Sequence, residues 1–164
     1  MSNIGDYQAL VAALSVSFTQ QDGRARTITA KNVKDLENVV QSSGTPVRML
    51  VPFAVGPGDN ISAEMFEFNP GNTSVVRWTF SDVMLWRPAP FGKGLGDSAY
   101  DLREYVSAYM TAGLSLDASS ISDRMEVENL NVQVYDLLNF PEGSKYLFIG
   151  AVATWTVKED DPLE

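Results

Sequence analysis

Metal, phosphate and acid–base chemistry each need particular residue types at particular spacings, and this chain offers few candidates. Asp117, Asp123, Glu126 and Glu128 could supply oxygen ligands to a hard cation. They lack the spacing of a calcium loop and read more simply as solvated loop charges. Gly92-Lys93-Gly94-Leu95-Gly96-Asp97 is rich in glycine and precedes a helical pattern. It matches neither Gly-x-x-x-x-Gly-Lys-Ser/Thr nor Gly-x-Gly-x-x-Gly, and Asp97 at a helix start would repel an anion. The reading preferred is a structural or partner-binding loop. Asp82 lies on the apolar face of a strand pattern. A second carboxylate beside it would permit acid–base work, but none is identified, so a strand bulge or a salt bridge is the better expectation. Trp78, Phe80, Tyr109 and Trp155 could line a small-molecule pocket under a curved sheet. Filling the core is the preferred account of them. No catalytic, cofactor-binding or metal-binding residue is assigned.

The inventory narrows the chemistry further. Among 164 residues there is no histidine and no cysteine. Ser–His and Cys–His nucleophile pairs, zinc ribbons, iron–sulfur clusters and disulfides are therefore excluded. Lysine plus arginine number 12 and aspartate plus glutamate 21, a net charge of −9. That balance opposes binding to nucleic acid by phosphate neutralisation. It suits a surface past which DNA slides without sticking. Arg24, Arg26, Lys31 and Lys34 form the only loose basic cluster. Met1-Ser2-Asn3-Ile4-Gly5-Asp6 does not resemble a secretory signal, and no apolar run reaches the length of a membrane span. With 45% apolar and 20% charged residues, the composition is that of one globular domain, residues 1–164.

The elements that would position these residues follow from hydrophobic periodicity. Ile4, Tyr7, Leu10, Val11, Leu14 and Phe18 predict an amphipathic helix over 4–18. Residues 32–40 predict a short second helix. Pro46 to Phe53 predicts an edge strand bounded by prolines, and 56–60 a loop. Residues 61–68 and 73–86, on either side of Asn69-Pro70-Gly71-Asn72, predict a hairpin. Leu102, Tyr105, Val106, Tyr109 and Met110 predict the buried stripe of a helix over 98–112, with Asp97 as N-cap and Gly113 as stop. Residues 116–123 predict a polar loop. Two long strands follow, 125–139 and 145–158. The first changes phase near Glu128–Asn129, which predicts a bulge. The second is apolar on both faces, which predicts a central or doubly covered strand. Residues 159–164 predict a frayed acidic tail. The fold class is α+β: a mostly antiparallel sheet with helices packed on one face.

Between the hairpin and the tyrosine-rich helix, residues 87–96 are expected to be irregular. Trp86, Pro88, Pro90, Phe91 and Leu95 form the most informative cluster, many apolar groups for one loop to leave in water. Such a loop either folds back on its own domain or is buried against another chain. On the second reading Trp86, Arg87, Pro88, Phe91, Lys93 and Leu95 form a protein interface, with Arg87 and Lys93 on its rim.

The order of elements resembles the tail terminator proteins of long-tailed bacteriophages. The segment Trp78 to Trp86, a loop, and Tyr100 to Tyr109 are similar to that family's step from strand to helix. The resemblance spans nearly the whole chain and includes no diagnostic motif; related neck and tail-completion proteins match almost as well. It implies a structural virion protein, not an enzyme, assembled in the host cytoplasm, without a cofactor or a membrane. It further implies a homo-oligomer, a hexameric ring on the last ring of the tail tube. That ring stops tube growth, offers a surface to the head-completion or connector protein, and lets DNA pass without specific binding. A small-molecule carrier with an aromatic pocket and a carboxylate–tyrosine enzyme are the alternatives from other classes.

Overall fold

A computed structural model describes residues 3–31, 45–51, 65–69, 73–88, 99–140 and 146–160. Its elements are α1 (Ile4–Ala12), β1 (Val16–Thr19), β2 (Ala25–Ile28), β3 (Val47–Val51), β4 (Met65–Asn69), β5 (Thr73–Pro88), α2 (Ala99–Leu114), a 3-10 turn (Ala118–Ser120), β6 (Met125–Asn139) and β7 (Leu147–Asp160). β3, β5, β7 and β6 lie side by side in that order, and β4 pairs with β5 along the same margin as β3. All of these pairings are antiparallel. β1 and β2 form a separate two-stranded sheet. The fold is therefore α+β with mostly antiparallel sheet.

Alternation along β5 and β7 creates two apolar surfaces. Phe80, Met84 and Trp86 of β5 share one face with Ile149, Ala151, Ala153, Trp155 and Val157 of β7. Against that face pack Tyr7 and Val11 of α1, Val16, Phe18 and Ile28 of the hairpin, and Leu102, Tyr105 and Tyr109 of α2. Val83, Leu85, Phe148 and Val152 point the other way and join Val47, Met49, Val51 and Leu138 in a second buried cluster. β7 is thus central, as its two apolar faces require. β3 lies at the end of its sheet beside β5, as expected, but its far side is bridged by Ala30 in parallel, with the Lys31 N–H donating to the Arg48 carbonyl at 2.8 Å.

The long first helix is overturned. It stops at Ala12, and Val16 to Thr19 form a strand instead. Residues four apart share a face in a helix and also in a strand, so Leu14 and Phe18 fit both patterns. Val16 between them completes a period of two and decides the matter. Gly23, at a φ of 83°, then supplies the left-handed step of the hairpin turn.

Other boundaries shift for local reasons. α2 runs through Gly113 instead of stopping at it. A Cβ there would lie 2.9 Å from Leu130 Cδ2 and 3.1 Å from Trp155 Cη2, so this glycine serves close packing. β5 continues through Arg87 and Pro88 because its register against β7 shifts between Leu85 and Arg87. Pro88, lacking an N–H, closes it. β6 keeps its expected bounds and shifts register between Val127 and Asn129, at the expected bulge. A second shift lies between Tyr135 and Leu138. Glu159 and Asp160 are not frayed: they pair with Val76 and Val75. The expected helix over 32–40, the 56–60 loop, the Asn69–Asn72 turn beyond Asn69, Asp97 and residues 161–164 fall outside the described residues.

Candidate functional site

The expected interface begins at the end of β5. Trp86 is 7% exposed. Its ring meets Phe18 at 5.9 Å and Tyr105 at 6.0 Å, and the Arg26 guanidinium lies 5.7 Å above it. Trp86 is therefore a core residue of its own chain, because β5 persists far enough to carry it under the β1–β2 hairpin. Its side chain does not face outward as an interface residue must. Arg87 is half-buried, and among the described residues its Nε has no hydrogen-bond partner. Pro88 is exposed. Phe91, Lys93 and Leu95 fall outside the described residues.

The aromatics that could have lined a pocket pack on one another. The Phe80 and Trp155 rings are stacked at 6.1 Å, and Tyr7 meets each edge-on. Trp78 donates its Nε1–H to Glu159 Oε2 at 3.0 Å.

A buried polar network sits among these rings. Arg48 of β3 donates through Nε to both Asp82 oxygens, at 2.9 and 3.1 Å, and its Nη2 lies 2.8 Å from Oδ2. The same guanidinium donates to the carbonyls of Val11 and Leu14, at the C-terminal end of α1 where carbonyls outnumber backbone donors. The Tyr109 hydroxyl donates to Asp82 at 2.8 Å and accepts from Trp155 Nε1 at 2.8 Å. Burial pushes the Asp82 carboxyl up, while the Arg48 and Tyr109 donors pull the other way. Arg48 is held above its ordinary value: burial works against its charge, and Asp82 more than offsets that. Burial and the nearby Asp82 charge hold the Tyr109 hydroxyl well above its ordinary value.

With every group engaged by a neighbour, this network joins α1, β3, β5, α2 and β7. It has no second carboxylate. The periodicity of β5 marked Asp82 as needing a partner; nothing in an apolar strand marked Arg48 as that partner.

The loop carboxylates disperse. Asp117 accepts from the backbone N–H and hydroxyl of Ser119, which holds its carboxyl below the usual range. Glu128 pairs with Arg77 at 3.1 Å. Among the described residues no group of three such side chains could hold a metal.

The surface feature left is the outer margin of β6. Among the described residues this strand has a neighbour in β7 only. Among the described residues no backbone hydrogen bond reaches its outer edge between Glu126 and Leu138. Val134, Leu137 and Leu147 are exposed along the same end of the β6–β7 pair. No described helix is long and apolar enough to cross a membrane. The chain matches no protein-family model, no curated protein and no solved structure.

Proposed function

We propose that this chain is a structural, non-enzymatic virion protein of the tail or neck, acting as bacteriophage tail terminators do. Copies close into a ring, of hexameric order in that family, on the end of the tail tube. The ring stops tube growth and offers its other face to the head-completion or connector protein. A related neck or tail-completion role follows from the same properties. The observation that supports this reading best is the β6–β7 hairpin, with strands of 15 and 14 residues and one open margin. A long unpaired edge is a template for a neighbouring chain, and proteins that stay single blunt such edges. Ring closure needs a heterologous contact whose rotation closes. The charge of −9 per chain supports a lumen through which DNA slides.

The test is to add the purified full chain to tail tubes assembled from the tube protein of the same virus. The expected result is a ring density on one tube end in negative-stain images, with tube elongation stopped. Tubes that elongate unchanged and bare, at saturating concentrations of the chain, would end this reading.

A further inference from the structure

α1 carries little support of its own. It has nine residues, and a helix that short does not persist alone in water. The Asn3 side chain forms no capping bond, and no basic residue stands in the last turn. Both ends are held from outside, by residues far along the chain. Glu159 of β7 accepts from the backbone N–H of Asn3 at 2.8 Å and from its side-chain amide at 3.2 Å. Arg48 of β3 donates to the carbonyl of Val11 at 2.8 Å and to that of Leu14. Among the described residues, the backbone from Gly5 to Leu14 bonds to no strand backbone.

What lies beneath α1 can survive its departure. Arg48 keeps Asp82 when the two carbonyls leave, so no buried charge is stranded. Glu159 keeps Trp78. The strands lose side-chain contacts with α1 but no ladder bond, since α1 belongs to neither sheet. Within α1 only Tyr7 and Val11 are buried. The docked state also carries a cost. The Tyr7 hydroxyl is buried with no hydrogen-bond partner among the described residues, and departure hydrates it.

We propose that α1 is a releasable clasp: it opens as one unit, hinged at residues 13–15, while the sheet, α2 and the β1–β2 hairpin stay folded, and Arg48, fixed by Asp82, is its catch. Opening uncovers the Phe80 and Trp155 rings, which Tyr7 meets edge-on at 6.3 and 6.0 Å. A segment held by few buried contacts opens below the free energy of global unfolding. The proposal does not depend on the ring.

Native-state hydrogen exchange on the full chain, read by mass spectrometry in urea below the unfolding transition, tests it. Amides over residues 8–13 are expected to be protected at least roughly tenfold less than those at the centre of β7, and to respond less to urea. Equal protection with equal urea dependence would overturn the proposal.

Three variants separate the parts. Val152 lies in the second buried cluster, on the face away from α1. Val152→Ala should lower β7 protection by roughly tenfold and leave α1 at its wild-type level, because an opening that keeps the sheet does not break that contact. A parallel fall in α1 would mean that α1 opens only with the whole fold. Arg48→Lys keeps a charge beside Asp82 but lacks the fork that reaches both carbonyls. It should lower α1 protection by roughly tenfold or more, and unchanged protection would remove Arg48 as the catch. Tyr7→Phe should raise α1 protection by roughly fivefold, since opening then hydrates no hydroxyl. A fall would contradict the cost assigned to the docked state.

Discussion

Asp82 and Arg48 show why single buried charges are decided by their partners. Each would lose solvation on burial, and each is retained because the other is within 3 Å. Removing one leaves an unpaired charge among aromatic rings. Arg48→Met should therefore lose about 3–5 kcal/mol of unfolding free energy in urea titrations. Arg48→Met/Asp82→Leu should lose clearly less than the sum of the two single variants. Additive losses would mean that the pair is not coupled. Tyr7 is a different case, because its buried hydroxyl has no hydrogen-bond partner among the described residues. Burial, and then the charge of Asp117, raise it from the ordinary 10.0 to about 12. A value raised in the folded state contributes stability that is full below pH 10, the unfolded value. That stability is lost as pH climbs to about 12. Tyr7→Phe should match or exceed the wild type at pH 7, since no bond is lost. It should also flatten the decline between pH 10 and about 12, measured by thermal unfolding across that range.

At the scale of elements, two glycines test how closely the layers meet. A Cβ on Gly150 would lie 2.3 Å from the backbone carbonyl oxygen of Met84, beside the register shift of β5. Backbone cannot step aside as a side chain can, so Gly150→Ala should cost at least ~3 kcal/mol, the upper end of overpacking. The atoms nearest to a Cβ on Gly113 belong to the side chains of Leu130 and Trp155. Gly113→Ala should cost about 1–2 kcal/mol less than Gly150→Ala, since rings and methyls can shift and alanine favours the helix. Equal losses in urea would contradict this account of α2 against the sheet. The same elements show what periodicity conveys. The strand of residues 125–139 was legible with its bulge, because a phase change in a period of two has few other causes. The β1–β2 hairpin was harder to read, because Leu14 and Phe18 satisfy both periods and Val16 alone between them favours the strand. The placement of Trp86 was open for a related reason: an apolar residue before a proline-rich stretch looks alike whether its strand stops or continues.

Over the whole molecule, the two ends of the chain are sewn together. Glu159 accepts from the backbone N–H of Asn3 at 2.8 Å, from its side-chain amide at 3.2 Å and from Trp78. Glu159→Ala should therefore lower stability by about 1–3 kcal/mol, read by differential scanning calorimetry, although the sequence places this residue in an acidic tail. An unchanged transition would mean that the seam does not hold the ends. Composition by itself excluded histidine and thiol chemistry, and period alone determined an α+β chain with a central doubly apolar strand and a partner requirement at Asp82. These are local facts, carried by residue type and by spacing along one element. Tertiary structure decided that Arg48 is that partner, that Trp86 turns inward, that Glu159 closes the seam, and that β6 has, among the described residues, a strand on one side alone. Those outcomes depend on which strands become neighbours across long separations. No period along a single strand records its neighbours.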